Sequence, residues 1–224
     1  MDISPAVLNE LEISYDDLSF FKELGADGIR LDEGFDGNKE ALLSYNPYNL
    51  AIELNMSNDG LPSLEMHRDL SIEVQAKHLF ATNLIDTVII GNAYASCDEL
   101  NEVANIDPYC FDYLEKASPL EKEICQDNMH MRRGDITDLT ARSTQVRVKY
   151  HDRKNPPHDN DHEFSRGDVV IGNDDFGKYK YELQIVMKQH KDSRKNLVGK
   201  IRPEELPLLE FLTPWKKFWL SDNQ

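Results

Sequence analysis

Acidic side chains close to predicted strands are the residues of this sequence that are best suited to catalysis. Asp32 and Glu33 directly follow an apolar run, and Glu53 lies in a second run, Leu50–Asn55. Paired carboxylates at the mouth of a sheet are typical of glycoside hydrolases, in which one acid protonates the leaving oxygen and the other acts as base or nucleophile. We therefore predict Asp32 and Glu53 as this pair, with Glu33 and Glu65 as alternates.

A structural role explains the same acids without catalysis. Arg30 belongs to the strand before Asp32, and Glu53 is expected on the neighbouring strand, so that Arg30 and Glu53 neutralise each other inside the sheet. Acids that follow a strand are also common in a chain as acidic as this one. The sequence leaves both interpretations open.

Polar side chains around these acids are candidates for substrate binding. The guanidinium groups of Arg68 and Arg142 suit a phosphate, and the amides of Asn55 and Asn92 suit sugar hydroxyls. A surface salt-bridge cluster at Arg68 and a tight turn capped by Asn92 are the structural alternatives. The predicted substrate-binding residues are Arg30, Asn55, Asn58, His67, Arg68, Asn92, Tyr94 and Arg142.

A histidine-rich segment is the only stretch that suggests a metal. His158 and His162 are spaced for one helix face, but Pro156 and Pro157 disfavour a helix there, so we interpret the segment as a solvated loop. A metal-dependent enzyme that uses His158 is kept as a third hypothesis. We find no phosphate-binding glycine loop, no nucleophile elbow and no dinucleotide motif.

Charge is distributed unevenly along the chain. The 224 residues carry a net charge of -16, with -18 in residues 1–126 and +2 in residues 127–224. Such an acidic chain is repelled by nucleic acids and by anionic membranes, so we expect neither as a partner. The odd number of cysteines, without metal-type spacing, and the N-terminus, without a signal-peptide pattern, predict a soluble protein of the cytoplasm with reduced thiols.

The pattern of elements predicts two domains, residues 1–126 and 127–224. Helices and strands alternate in the first, with short connections, which predicts parallel strands. Its predicted strands are 2–4, 28–31, 50–55 and 87–90, and its predicted helices are 14–25, 39–44, 72–80 and the two that follow capping boxes at Ser96 and Ser118. The second domain has short alternating segments and predicts a mostly antiparallel, closed barrel with strands at 145–150, 167–173, 181–188 and 196–201.

Longer segments resemble the bacterial 6-phospho-N-acetylmuramidase family. They include GADGIRLDEGF (25–35), LEMHRD (64–69), VIIGNAYAS (88–96), RSTQVRVKY (142–150), RGDVVI (166–171) and RKNLVG (194–199), so the resemblance covers nearly the whole chain. It implies a TIM barrel followed by a small cyclophilin-like β-barrel. It also implies hydrolysis of the disaccharide of 6-phospho-N-acetylmuramic acid and N-acetylglucosamine in cytosolic cell-wall recycling, with no metal or organic cofactor.

The first domain is short for a complete barrel. A (β/α)8 barrel takes about 250 residues, whereas 126 precede the second domain, and the chain jumps from Asn58 to Leu64 relative to the family pattern. We therefore predict an α/β fold with a partial TIM-type barrel, whose open edges favour a homo-oligomer. The alternative to a glycosidase is a non-catalytic sugar-phosphate-binding module or an inactive remnant.

Overall fold

Two compact units make up the chain, Met1–Pro108 and Tyr109–Gln224. The structure is a computed structural model that describes residues 2–3, 5–14, 18–31, 50–57, 62, 64–92, 94–128 and 130–222. Asp32, Glu33, Asn58 and the predicted helix at 39–44 lie outside the described residues. Among the described helices, none has the length and apolar character that are needed to cross a bilayer.

The first unit contains a parallel sheet with helices packed against it. The strands are β1 (Asp2–Ile3), β2 (Gly28–Leu31), β3 (Ala51–Met56) and β4 (Thr87–Ile90), hydrogen-bonded in that order. The helices are α1 (Pro5–Glu10), α2 (Ser19–Glu23), α3 (Ile72–Ala81) and α4 (Cys97–Ala104), with a 3-10 turn at Glu65–His67. The prediction that these strands are parallel is confirmed.

Alternate side chains give this sheet an apolar and a polar face. Ile52, Leu54 and Met56 of β3 are buried in the core, where Leu79 of α3 also lies. The residues between them point to the opposite face because side chains alternate along a strand. Glu53 and Asn55 are half-buried there. The core face thus fixes which side of the sheet carries the candidate residues.

The second unit contains a mixed six-stranded sheet in the order β10-β5-β9-β7-β8-β6, antiparallel except for the pair β10 and β5. Its strands are β5 (Cys110–Glu115), β6 (Thr140–Ser143), β7 (Asp168–Gly172), β8 (Leu183–Val186), β9 (Lys195–Ile201) and β10 (Trp219–Ser221). Helices α5 (Pro119–Cys125) and α6 (Gln145–Lys149) and 3-10 segments at Asp174–Tyr179 and Pro203–Glu210 complete it. Among the described strands, β10 and β6 are not paired with each other, so the predicted closure of the barrel is not confirmed.

Capping boxes at Ser96 and Ser118 are confirmed. Each serine side chain accepts a hydrogen bond from the backbone N–H three residues on, and the carboxylates of Glu99 and Glu121 accept one from the backbone N–H of the serine. The predicted helix start at Ser14 is wrong, because α2 begins at Ser19 and Leu18 holds its N-cap position without a side-chain hydrogen bond.

The predicted strand at residues 145–150 is also wrong, because this segment forms α6. Its two valines suggested alternation, yet Val146 is fully buried while Val148 is 75% exposed. Residues two apart lie on nearly opposite sides of a helix, so one buried and one exposed valine fit α6 and not a strand. Apolar residues two apart in so short a run do not separate a strand from a helical turn.

The first and second units divide before β5, whereas the sequence analysis placed the domain boundary after residue 126. β5 pairs with β9 and β10, which joins it to the second sheet. The sequence analysis assigned no strand to residues 110–115, which form β5. The buried backbone N–H of Asp112 donates to Glu205, 2.6 Å away.

Close contact between β5 and β9 requires a glycine at position 199. A Cβ there would lie 2.8 Å from the carbonyl oxygen of Leu114 and would also overlap the ring of Tyr113. We expect Gly199→Ala to lower the free energy of unfolding by about 1–3 kcal/mol, because the added methyl group pushes the strands apart. Urea denaturation followed by circular dichroism measures this loss.

Gly91→Ala is the matched control, since a Cβ at Gly91 would meet its nearest heavy atom at an ordinary 3.4 Å. If both variants unfold at the urea concentration of the unmodified chain, the strand contact does not depend on glycine.

Candidate functional site

Charged and polar residues form a row across the polar face of the first sheet. The parallel register aligns Arg30 with Glu53, and Glu53 with Thr87. Neighbouring strands lie about 4.8 Å apart, so Arg30 and Glu53 occupy adjacent positions on one face. This is the proximity that the structural interpretation of these two residues predicted.

A cavity of about 230 Å³ opens on this row, and it is lined by Gly28, Ile29, Arg30, Ala51, Ile52, Glu53 and Thr87. Gly28, Ala51 and Thr87 each begin a strand. Glu53 is the third of the six residues of β3, so the predicted location at a strand end is corrected. Ligands of parallel α/β sheets bind beyond the carboxyl ends of the strands, so Glu53 lies deeper in the sheet than Asn55.

The carboxyl end of β4 is joined to that of β3 through Asn92. Ser57 Oγ donates to Asn92 Oδ1 at 2.7 Å, and Asn92 Nδ2 donates to Glu99 Oε1 at 3.2 Å. The other carboxylate oxygen of Glu99 accepts from the backbone N–H of Ser96 at 2.8 Å. A side-chain amide has two donor hydrogens and an oxygen with two lone pairs, so the contacts of Asn92 with described residues use one of each.

Gln75 fixes the end of β3 to helix α3. The backbone N–H of Ser57 donates to Gln75 Oε1 at 3.1 Å, and Gln75 Nε2 donates to the carbonyl oxygens of Ser57 at 3.0 Å and Leu70 at 2.8 Å. Gln75 is fully buried. The sequence analysis missed Gln75 and Ser57, and the only sequence signal was a glutamine on the apolar face of a predicted helix.

Glu65 and Arg68 bind each other at the surface. Arg68 Nε donates to Glu65 Oε1 at 2.6 Å, and the side chains are 41% (Arg68) and 69% (Glu65) exposed. The hydrogen bond from Arg68 holds the pKa of Glu65 below its usual value. A general acid needs a raised pKa, so this arrangement favours the salt-bridge interpretation over the predicted catalytic and phosphate-binding roles.

The side chain of His67 belongs to the core. It is 0% exposed, and its Nε2 lies 2.8 Å from Nδ1 of His78. Burial, with the neighbouring His78, lowers the pKa of His67 to about 3. A neutral imidazole enclosed in this way is not accessible to substrate, so the predicted substrate-binding role of His67 is corrected to a structural one.

The buried His67 makes stability depend on pH. Its pKa falls from 6.5 to about 3 on folding, so below pH 6.5 the unfolded chain takes up a proton that the folded chain does not bind. We expect this residue alone to remove about 2 kcal/mol of unfolding free energy between pH 7 and pH 5. His67→Gln, which does not titrate, should show a correspondingly smaller loss, as urea denaturation at both pH values measures.

The other titrating groups are common to both proteins, so the difference between the two pH dependences reports the buried His67 together with its contact to His78. Equal losses in the unmodified chain and in His67→Gln would contradict a buried, neutral His67.

Arg142 lies in the second unit and is engaged by carboxylates. Its Nε and Nη2 donate to Glu182 at 2.6 and 3.1 Å, and its Nη1 donates to Asp135 at 3.2 Å. Glu182 is fully buried. The bidentate pair directs the guanidinium of Arg142 towards protein groups rather than towards a phosphate.

His158 contacts a buried acid. Its Nε2 lies 2.8 Å from Glu121 Oε2, and Asn196 Nδ2 donates to Glu121 Oε1 at 2.9 Å. Burial raises the pKa of Glu121, but hydrogen bonds from Asn196 and Ser118 and the charge of His158 outweigh it, so that this pKa lies below its usual value. In the part of the chain that the structure describes, no three His, Cys, Asp or Glu side chains are grouped to hold a metal ion.

Only part of the predicted site is therefore brought together. Arg30, Glu53 and Asn55 share the polar face of the first sheet, and Asn92 lies at its carboxyl edge. Tyr94, two residues after Asn92, is 93% exposed.

Two family models match the chain. The model described as "6-phospho-N-acetylmuramidase, N-terminal" matches residues 1–60 and 58–105, and the one described as "6-phospho-N-acetylmuramidase, C-terminal" matches residues 110–221. The two N-terminal segments meet at residues 58–60, where the sequence analysis placed a jump relative to the family pattern.

Two solved structures resemble this chain. An uncharacterized B. cereus protein is 40% identical, with 99% of this chain and 83% of that chain covered and a TM-score of 0.67. A conserved protein of unknown function from Enterococcus faecalis shares the fold at 18% identity, with 99% and 79% covered and a TM-score of 0.57. The search of curated proteins found no match.

Proposed function

We propose, since the chain belongs to the 6-phospho-N-acetylmuramidase family, that it hydrolyses the disaccharide of 6-phospho-N-acetylmuramic acid and N-acetylglucosamine. The observation that carries this proposal is the match of both family models, which together cover nearly the whole chain. The family implies a phosphorylated sugar as substrate. We further propose a partial TIM-type barrel followed by a cyclophilin-like domain, acting in cytoplasmic peptidoglycan recycling as a homo-oligomer.

Asp32 and Glu53 are the proposed catalytic pair. Glu53 lies on the polar face of the sheet, next to Arg30, and β2 ends at Leu31, directly before Asp32. One acid donates a proton to the glycosidic oxygen as the bond to the anomeric carbon breaks, which releases N-acetylglucosamine. The other attacks the anomeric carbon or takes a proton from the attacking water. Glu33 remains the alternate acid.

We assign Asn55 and Asn92 to bind the hydroxyl groups of the substrate. The remaining amide hydrogen and oxygen lone pair of Asn92 lie at the carboxyl edge, where ligands of such sheets bind. Ser57 and Glu99 are positioning residues, because they hold Asn92 without facing the reaction. Asn58 and Tyr94 are proposed to flank the sugar.

Catalysis is tested by incubating the purified chain with the 6-phosphomuramyl disaccharide and measuring released N-acetylglucosamine. We expect release by the unmodified chain, and a loss of at least about 100-fold in Asp32→Asn and Glu53→Gln, because each removes a proton donor or acceptor while keeping the shape of the side chain.

The matched control is Glu102→Gln, which changes an exposed acid of α4 in the same unit and should keep full activity. Full activity in both Asp32→Asn and Glu53→Gln would exclude them as the catalytic pair.

A non-catalytic sugar-phosphate-binding module is the second candidate function. The observation that favours it is the sheet of the first unit, which has four parallel strands among the described residues, where a complete barrel has eight. Binding of the intact disaccharide without release of N-acetylglucosamine, measured by calorimetry on a folded sample, would favour this module.

A further inference from the structure

A basic cavity lies in the second unit, and none of the residues that line it is among the predicted catalytic or substrate-binding residues. Its volume is about 500 Å³, and it is lined by Arg147, Val148, His151, Gly177, Lys178, Lys180 and Tyr181. This volume falls in the range of about 300–1,000 Å³ that is usual for small-molecule sites. No carboxylate lines it, although the chain as a whole carries a net charge of -16.

Two of the basic side chains that line this cavity contact neighbouring acids. Lys180 Nζ lies 2.6 Å from Asp174 Oδ1, and His151 Nε2 lies 2.9 Å from Asp152 Oδ2. Lys180 also donates to the carbonyl oxygen of Arg153 at 2.7 Å. These contacts fix Lys180 in place and leave the excess positive charge to the other two cations.

Arg147 and Lys178 supply that excess. Among the described residues, the carboxylate paired with Arg147 is that of Glu182, 3.9 Å away. Both oxygens of Glu182 already accept hydrogen bonds from Arg142. Lys178 is exposed and has no ion pair with any residue that the structure describes. The carbonyl oxygen of Lys178 accepts from Arg147 Nη1 at 2.7 Å, so the guanidinium is held next to the lysine.

The same cavity also offers neutral groups. Tyr181 is 1% exposed, and its hydroxyl has no hydrogen-bond partner of good geometry among the described residues. A buried hydroxyl that is left without a partner costs free energy, which a bound ligand can recover. Val148, 75% exposed, adds apolar surface to the rim. The lining therefore suits a ligand with an anionic end and a body with hydroxyl or apolar groups.

We propose that this cavity binds a small phosphomonoester, with Arg147 and Lys178 as ligands of the phosphate. A guanidinium fork and an ammonium together suit the several oxygens and the double charge of a phosphomonoester. The proposal moves the phosphate contact away from Arg68 and Arg142, which are paired with Glu65 and Glu182 at short distance. It assigns the contact to Lys178, which has no ion pair among the described residues, and to Arg147, whose contact with Glu182 is 3.9 Å long. It does not depend on hydrolysis, because it concerns binding to the second unit alone.

The test is isothermal titration calorimetry of the full chain with N-acetylglucosamine 6-phosphate, inorganic phosphate and N-acetylglucosamine. None of these probes has a glycosidic bond between sugars, so the result is independent of the proposed activity. We expect the sugar phosphate to bind and the unphosphorylated sugar not to bind. Inorganic phosphate that binds as tightly as the sugar phosphate would restrict the site to a phosphate group and overturn the role given to the neutral groups.

Lys178→Gln is the decisive variant, because this side chain is exposed and its replacement does not disturb the core. We expect it and Arg147→Gln each to weaken binding of the sugar phosphate at least about tenfold. Lys191→Gln is the charge-matched control, since Lys191 is an exposed lysine paired with Asp161 in the same unit. Unchanged affinity in Lys178→Gln, an equal loss in Lys191→Gln, or no binding of any phosphate at millimolar concentration would overturn the proposal.

Discussion

Strand β3 sets the geometry of the whole first unit. It is paired with β2 on one side and with β4 on the other, and Ile52, Leu54 and Met56 are buried against the helices. Because side chains alternate along a strand, burial of these three residues commits Glu53 and Asn55 to the opposite face. A shift of the register by one residue would exchange the two faces. The core contact therefore determines where any catalytic carboxylate of β3 can lie.

Several charged and titratable side chains contact other protein groups and so stabilise the fold. Glu182 is fully buried, and a buried carboxylate is tolerated only with a charged or hydrogen-bonding partner, which Arg142 provides. His67 Nε2 and His78 Nδ1 are hydrogen-bonded to each other inside the first unit. In each case the burial of one group determines the role of its partner, and burial is a property of the folded chain and not of a short motif.

The sequence predicted the elements whose signals are local. The parallel strands follow from apolar runs, and the starts of α4 and α5 follow from the capping boxes at Ser96 and Ser118. Residues 145–150 were mispredicted because two valines in a short run fit two periodicities. The partners of Arg142 and Ser57 lie 40 and 35 positions away at Glu182 and Asn92. Such pairings depend on the tertiary fold, which is why the sequence named some of the candidate residues and not their contacts.

Net charge constrains where an anionic ligand can bind. A chain with a net charge of -16 repels a phosphate at long range, so capture must depend on a local excess of positive charge. Residues 127–224 are nearly neutral, at +2, and contain the cavity with Arg147 and Lys178. Asp174 holds Lys180 and balances its charge, whereas Glu182 is 3.9 Å from Arg147 and is already bonded by Arg142, so a phosphate in the proposed site would be held by Arg147 and Lys178.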